Sequence, residues 1–451
     1  MLNTKSIAAV NSATFLGTLQ RPLYGHYCFS EIPGTISKLL DTPQQSGLPD
    51  DVFGPTGYPQ PKHVVLFLID AFGWNLFNRA AQENLPGISR FIDQGVVSKL
   101  STLFPSTTAA HVHCLNTGLL PQQSQVFEWR QAWPSLNRVI SPLIFSKGED
   151  AGGRHPKKSH TLLEADIQPE DVFPPSTFHQ RLIDQGIDVI EYLPKAYVDG
   201  CYSLAVNPMI QRRGYSSLEK GLHDLQAILN AATRQQYVKF YLPDIDSLSH
   251  DHGYTSDIVW NRVKEVFATL ENLLFSNLND HQNIAILLTA DHGQVVIDAA
   301  ATVYLDEEIP ELMPMLAHSQ DGAPLFPCGS SRDVFLQVKP EYVDQALTLL
   351  KQRLAGVAQV LLIQDVADTL FGESPSQEFL NVVGQIVILP EDSNTVFFAG
   401  PDGHYKGQQR GTHGGLTPSE AQIPFAYLTS RHSNESNDYL RPANLFHQTT
   451  P

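Results

Sequence analysis

The chain has 451 residues, 42% of them hydrophobic and 9% aromatic, enough for a sizeable core and too many for a disordered chain. Lys and Arg number 30 against 47 Asp and Glu, a formal net charge of -17. That balance argues against duplex nucleic acid as the main partner, because such binding depends on surplus cations, yet bound divalent cations could still turn the local field toward a phosphate. The length accommodates two or three domains, or one large domain with insertions.

Cys28, Cys114, Cys201 and Cys328 are far apart and form no CxxC pair. This is not a disulfide framework and suits a reducing compartment. No apolar run approaches the 18 residues or so of a membrane helix. The start of the chain, with Lys5 and the short run Ile7 to Val10, makes a poor signal peptide. The expectation is a soluble, cytoplasmic protein with no membrane partner.

Residues 1–57 are rich in Pro, Gly, Ser and Thr and read as an irregular extension wrapped over the core. Val64 to Ile69 is a continuous apolar run with β-branched residues, which predicts a strand buried on both faces. Val97 to Leu103 predicts a second strand. A helix follows it, ending near Thr117-Gly118. Leu218, Leu222, Leu225 and Leu229 mark a helix face, and Tyr237 to Leu242 reads as a strand. Val259, Val263, Val266, Leu270 and Leu273 mark another helix, capped near Ser256, and Ile284 to Leu288 is a further buried strand. This alternation predicts an α/β fold, a doubly wound and mostly parallel sheet with helices on both faces.

Between about 301 and 395 the pattern changes. Strands at Val334 to Val338, Val360 to Ile363 and Gln385 to Leu389 surround a helix marked by Val343, Leu347, Leu350 and Leu354. This reads as an α+β subdomain inserted into a core made of 58–300 and 396–451. Ala426 to Leu428 is then a late strand of the core.

In an open parallel sheet, functional groups collect beyond the C-terminal ends of the strands. Asp70 follows the first strand, Asp244 and Asp246 follow Tyr237 to Leu242, and Asp291-His292 follows the strand at 284–288. A single carboxylate there is more often a cap or a loop hydrogen bonder; three strands delivering acids to one edge shift the balance. Asp246 and His250 lie four apart, on one face if the segment is helical. His413 sits among small residues in Gly411-Thr412-His413-Gly414-Gly415. Imidazole and carboxylate together suit Zn²⁺, with Mn²⁺ or Fe as alternatives. Phe104-Pro105-Ser106-Thr107-Thr108 places hydroxyls at a helix N-terminus, where free backbone N–H groups favour a phosphate; a plain N-cap explains the same residues.

These segments together resemble the alkaline phosphatase superfamily, and within it the type I phosphodiesterase/nucleotide pyrophosphatase family. The resemblance rests on Leu68-Ile69-Asp70, on Phe104 to Thr108 with Thr117-Gly118-Leu119, on Asp246 to His250 with Gly253, on Thr289 to Gly293, and on Thr412 to Gly415. It spans about residues 63 to 429. It implies two divalent metal ions, one held by Asp246, His250 and His413, the other by Asp70, Asp291, His292 and the Thr108 hydroxyl. It implies Thr108 as nucleophile, nine residues before Thr117 as the family pattern has it, with Thr107 as fallback. The implied reaction is hydrolysis of a small-molecule phosphodiester or nucleotide pyrophosphate through a phospho- or nucleotidyl-threonine; a phosphomonoesterase, phosphonate hydrolase or phosphotransferase shares the same framework.

The family usually carries an asparagine three residues after the nucleophile, contacting the phosphate. Here that position is His111, which becomes the candidate substrate contact or a half-buried helix residue. Arg130 and Arg332 are both open as phosphate clamps. Glu128-Trp129 could line the pocket, and Glu420 could support His413 or belong to a helix. His113, His252 and His404 read as structural.

Overall fold

The computed structural model describes residues 1–430 other than 44–45, 56, 59, 152–158, 175–176, 279–281, 320–321 and 323; the end of the core assignment, 431–451, lies outside the described residues. Seven strands form the main sheet: β1 His63–Ile69, β2 Val96–Ser101, β3 Asp188–Pro194, β4 Gln211–Tyr215, β5 Gln236–Leu242, β6 Ile284–Thr289 and β7 Gln422–Thr429, in the spatial order β2-β7-β6-β1-β5-β3-β4. β1 is parallel to both β5 and β6, with Ile69 beside Leu242 and Leu68 beside Thr289. Only β7 runs against the rest, antiparallel to β2 and to β6. The sheet is therefore doubly wound and mostly parallel. Every residue of β1 is buried, as its unbroken apolar run requires.

Four helices matter for the site or the core: α1 Thr108–Thr117, α2 Leu218–Ala231, α3 Asp244–His252 and α4 Asp257–Leu273. Leu218, Leu222, Leu225 and Leu229 of α2 are buried, and so are Val259, Val263, Val266 and Leu270 of α4. Ser256 caps α4, its hydroxyl accepting from the Val259 N–H at 3.4 Å.

Between the last two strands lies a separate four-stranded antiparallel sheet, in the order Cys328–Ser330, Asp333–Leu336, Ile386–Pro390 and Ala358–Leu362. The helices Val343–Arg353, Ile363–Phe371 and Gln377–Val383 pack with it. Val303–Tyr304 pairs with Val396–Phe397 at its base.

The first 57 residues are less irregular than their composition implies. They hold helices at Thr4–Asn11 and Ile32–Leu39, the first capped by Asn3, whose side chain accepts from the Ser6 N–H. Helices of eight residues present too few apolar turns to stand out. Their buried Val10, Ile32, Ile36 and Leu39 join the main core, and the Asn3 N–H donates to Val97 O at 2.8 Å on the edge strand β2.

Arg332, one of the two arginines open as a phosphate clamp, is wholly buried and committed elsewhere. Its Nε and Nη2 donate to the two carboxylate oxygens of Glu420, each at 2.9 Å. Glu420 also accepts from the Gly415 N–H and the Thr417 hydroxyl, so it steadies the chain beside His413 from within the short helix Pro418–Ala421. Arg332→Met leaves the Glu420 carboxylate buried and short of its cation, and should lower unfolding free energy by about 3–5 kcal/mol. Urea denaturation with an unchanged m-value checks this.

Candidate metal centre

Register brings the strand ends together. β1 ends at Ile69 beside Leu242 of β5, so Asp70 and the start of α3 emerge side by side. Asp291 emerges one strand over, after β6. The loops after β1 and β6 touch: a Cβ added to Gly73 would lie 2.5 Å from the Cα of Gly293. β2 ends at the same edge and leads into α1. β7 runs the other way, so the segment carrying His413 enters it at that edge too. Ser106 ties the two entering loops together, its N–H donating to Gly414 O at 3.1 Å and its hydroxyl to Gly415 O at 2.7 Å.

Six of the seven proposed metal ligands form one group. Asp246, His250 and His413 offer atoms within 4.8 Å of one another, and so do Asp70, Asp246 and His292. Asp246 thus faces both sets. Its Oδ2 is 3.4 Å from His250 Nε2, across one turn of α3, and its Oδ1 is 3.8 Å from His413 Nε2. Asp291 joins through Oδ2, 3.4 Å from His292 Nε2, with Asp70 Oδ1 at the same distance. The seventh, Thr108, brings its hydroxyl to 3.1 Å from His292 Nε2.

The three imidazoles are oriented alike. Nδ1 of His250 donates to Gly411 O at 2.8 Å, Nδ1 of His413 to Ser106 O at 3.0 Å, and Nδ1 of His292 to Gly293 O at 3.0 Å. A carbonyl can only accept, so each neutral ring turns an Nε2 lone pair inward. Burial holds His292 and His413 below the ordinary imidazole range, reinforced by their neighbouring histidines. Meanwhile Asp70 Oδ1 and Asp291 Oδ2 are buried and have no hydrogen-bond partner among the described residues. Burial, and then Asp291 and Asp246 nearby, push the Asp70 carboxyl well above its usual range. Lone pairs facing lone pairs in a dry site are costly unless a cation lies among them. The donor set, nitrogen plus carboxylate oxygen, fits divalent metal.

Neighbours that the sequence did not single out support these ligands. The Tyr241 hydroxyl donates to Asp70 Oδ2, and Gln294 Nε2 donates to Asp246 Oδ1 at 2.6 Å. Tyr241 lies on β5 one residue before its end, a position that could have flagged it; Gln294 gave no signal.

His111 is not brought to the pocket. It is fully buried; its Nε2 accepts from the Leu103 N–H at 2.9 Å and its Nδ1 donates to Thr107 O at 2.8 Å. Both ring nitrogens are spent on the loop before α1. Burial lowers its pKa to about 4, so the ring is neutral near pH 7 and adds no charge toward a phosphate. His111→Leu should therefore lower stability by about 1–3 kcal/mol, by stranding the Leu103 N–H, while KM stays within about twofold. The depressed pKa also ties native stability to pH. The contribution is present above the unfolded value near 6.5 and is lost as pH falls toward 4, so the melting temperature of the variant should fall less steeply across that window.

The cluster opens into a cavity of about 1030 Å³, lined among others by Thr107, Thr108, Glu128, Trp129 and Arg130. The Glu128-Trp129 pair thus faces it. A sequence profile of the type I phosphodiesterase/nucleotide pyrophosphatase family matches residues 64–416. The chain belongs to that family. The phosphodiesterase fold is shared by solved structures of low identity. Murine ectonucleotide pyrophosphatase/phosphodiesterase 5, an inactive threonine-to-alanine variant in complex with AMP, is 14% identical at a TM-score of 0.58, over 80% of this chain and 87% of that one. Phosphonoacetate hydrolase from Sinorhizobium meliloti, in complex with phosphonoformate, is 16% identical at 0.56, over 83% and 92%. No curated protein matches in sequence. The family is one of phosphoester hydrolases, and no helix among the described residues of this member is long and apolar enough to cross a membrane.

Proposed function

We propose that the chain is a metal-dependent phosphodiesterase or nucleotide pyrophosphatase with Thr108 as its nucleophile. The observation that carries this reading is Thr108, a partly buried residue lining the cavity, whose hydroxyl lies 3.1 Å from His292 Nε2 beside the buried Asp70, Asp291 and His292. Thr107 is buried and turned toward Glu128 instead.

Asp246, His250 and His413 would hold one divalent ion; Asp70, Asp291, His292 and Thr108 would hold the other. Zn²⁺ suits these donors best, with Mn²⁺ or Fe as alternatives. When bound, such ions lower the pKa of a hydroxyl and neutralise phosphate charge. Three aspartates against two divalent ions leave net positive charge for one anionic substrate.

The chain's own residues supply geometry. Thr108 opens α1, whose first N–H groups lack helical acceptors and face the positive end of the helix dipole. A phosphoryl group seated there lies in line for attack by Thr108 Oγ1. The Thr108 hydroxyl gives up its proton to solvent, the new P–Oγ bond forms as the bond to the leaving oxygen breaks, and the leaving group departs as an alkoxide, which takes a proton from solvent, or as a phosphate. Water then cleaves the phospho- or nucleotidyl-threonine and restores the hydroxyl.

The other reading, a phosphonate hydrolase or phosphomonoesterase, draws on the likeness to phosphonoacetate hydrolase. The test is a rate comparison on the zinc-loaded protein between the p-nitrophenyl ester of thymidine 5′-monophosphate, p-nitrophenyl phosphate and phosphonoacetate. Faster diester cleavage is the expected result. A faster monoester or phosphonate reaction overturns the diesterase reading.

A further inference from the structure

Arg130 is an unusual cation. It lines the same cavity as Thr108, yet its Nε and Nη1 are buried without a hydrogen-bond partner, and among the described residues no carboxylate forms an ion pair with it. The nearby carboxyl, Glu128, is turned back on the Trp129 N–H and Thr107. Buried guanidinium groups are normally paired, because desolvating the charge is costly.

Its surroundings hold it in place, and Glu128 and Tyr405 act on its charge without an ion pair or a side-chain hydrogen bond to it among the described residues. The Cζ atom lies 5.1 Å from the ring centre of Phe397 and 5.0 Å from that of Tyr405. Aromatic rings thus flank the guanidinium, and among the described residues nothing hydrogen-bonds its Nε and Nη1. Its backbone carbonyl accepts from the Gly329 N–H at 2.7 Å. Tyr405 is fixed in turn by Gly400, at φ +71°, where an added Cβ would sit 2.4 Å from the Tyr405 ring. Ala399 and Gly400 donate their N–H groups to the two oxygens of Asp306, each at 2.7 Å. The stretch from Phe397 to Tyr405 therefore packs on this side chain, while Gly329 fixes its backbone and Asp306 braces the packing stretch from behind.

We propose that Arg130 recognises a second anionic group of the substrate, a carboxylate or phosphate apart from the reacting phosphorus. This rests on the function proposed above. A fork of parallel N–H groups matches the two oxygens of such an anion, and a site built to pair it discriminates strongly against substrates that lack it. Terminal phosphates of a nucleotide and the carboxylate of a phosphonate share that chemistry.

The test uses the full-length metal-loaded protein and two probes, thymidine 5′-triphosphate and phosphonoacetate, with the p-nitrophenyl ester of thymidine 5′-monophosphate as reference. Calorimetric binding of at least one probe should weaken by about 30-fold or more in Arg130→Gln, and less in Arg130→Lys, which keeps charge without the fork. In turnover, the kcat/KM ratio of that probe to the reference should fall by a similar factor. Loss with triphosphate identifies a phosphate ligand; loss with phosphonoacetate identifies a carboxylate. A purely structural role would lower melting temperature and all substrates together, leaving the ratio unchanged. That result, or binding of both probes altered by less than about twofold, overturns the proposal. Binding lost in the variants with no turnover of any ester by the unsubstituted protein would sink the hydrolase reading and leave Arg130 as an anion site.

Discussion

Thr108→Ala should reduce kcat on the thymidine 5′-monophosphate aryl ester by roughly 10³-fold or more, a loss of at least about 4 kcal/mol of transition-state stabilisation. The substitution removes the only hydroxyl that reaches both the cavity and His292 Nε2 among the two threonines at the start of α1. It should leave the fold intact, because Thr108 is the first residue of α1 and not its N-cap, and alanine is a good helix former. Metal content and melting temperature therefore stay near those of the unsubstituted protein. Thr107→Ala is the contrasting variant. Its hydroxyl is buried against Glu128, whose carboxyl burial pushes up to about 7. Losing that contact should cost stability and no more than about tenfold in rate. Rapid-quench detection of labelled protein in the unsubstituted enzyme, absent in Thr108→Ala, would distinguish a covalent intermediate from direct attack by water. An equal loss from both variants would remove the reason for choosing Thr108.

The three candidate carboxylate ligands were readable because each follows a strand that reads as mostly apolar, β5 despite its Lys239, and because parallel register brings such strand ends to one edge. Asp70, Asp246 and Asp291 needed nothing more than that rule. Two strands gave too little signal. β4 is Gln-Arg-Arg-Gly-Tyr, a polar edge strand paired on one side only. β3 carries Glu191 in its buried middle, which breaks the apolar run. The charge is tolerated because the register sets it beside Lys239 of β5, with which it forms a buried ion pair. That neighbour lies 48 positions away in the chain and is invisible to local patterning. His111 failed as a substrate contact for a related reason. Spacing from Thr108 says where the residue lies on α1, while the partners that occupy its nitrogens come from the loop folding back over that helix. Arg130 and Arg332 were indistinguishable as letters. The buried carboxylate of Glu420 separates them, leaving Arg332 paired and Arg130, among the described residues, without an ion pair.

Asp246→Ala should be the most damaging change to the metal centre, because Asp246 alone belongs to both groups of closely spaced ligand atoms. Its two oxygens face different histidines, Oδ1 toward His413 and Oδ2 toward His250, and it also lies within 4.8 Å of ligand atoms of Asp70 and His292. Removing the carboxylate takes a negative charge from the shared middle of the cluster, where neighbouring ligands cannot shift to replace it. We expect both equivalents of metal to be lost on gel filtration in buffer free of added metal, with activity down by about 10³-fold or more. His250→Ala touches only one group, so it should lose metal from that group first and retain part of the second equivalent. The two variants thus differ in stoichiometry even if both are inactive, and elemental analysis reads that difference directly. Chelation of the unsubstituted protein supplies the matching control: activity should fall with metal content and return when Zn²⁺ is restored. The Asp246→Ala protein should gain nothing from the same addition, because its defect is in the ligand set. Full metal content in that variant would mean that Asp246 is not the shared ligand. Chelator-resistant turnover in the unsubstituted protein would mean that the cluster works without divalent ions and that its lone pairs are satisfied by protons, with Asp70 and Asp291 sharing one between them.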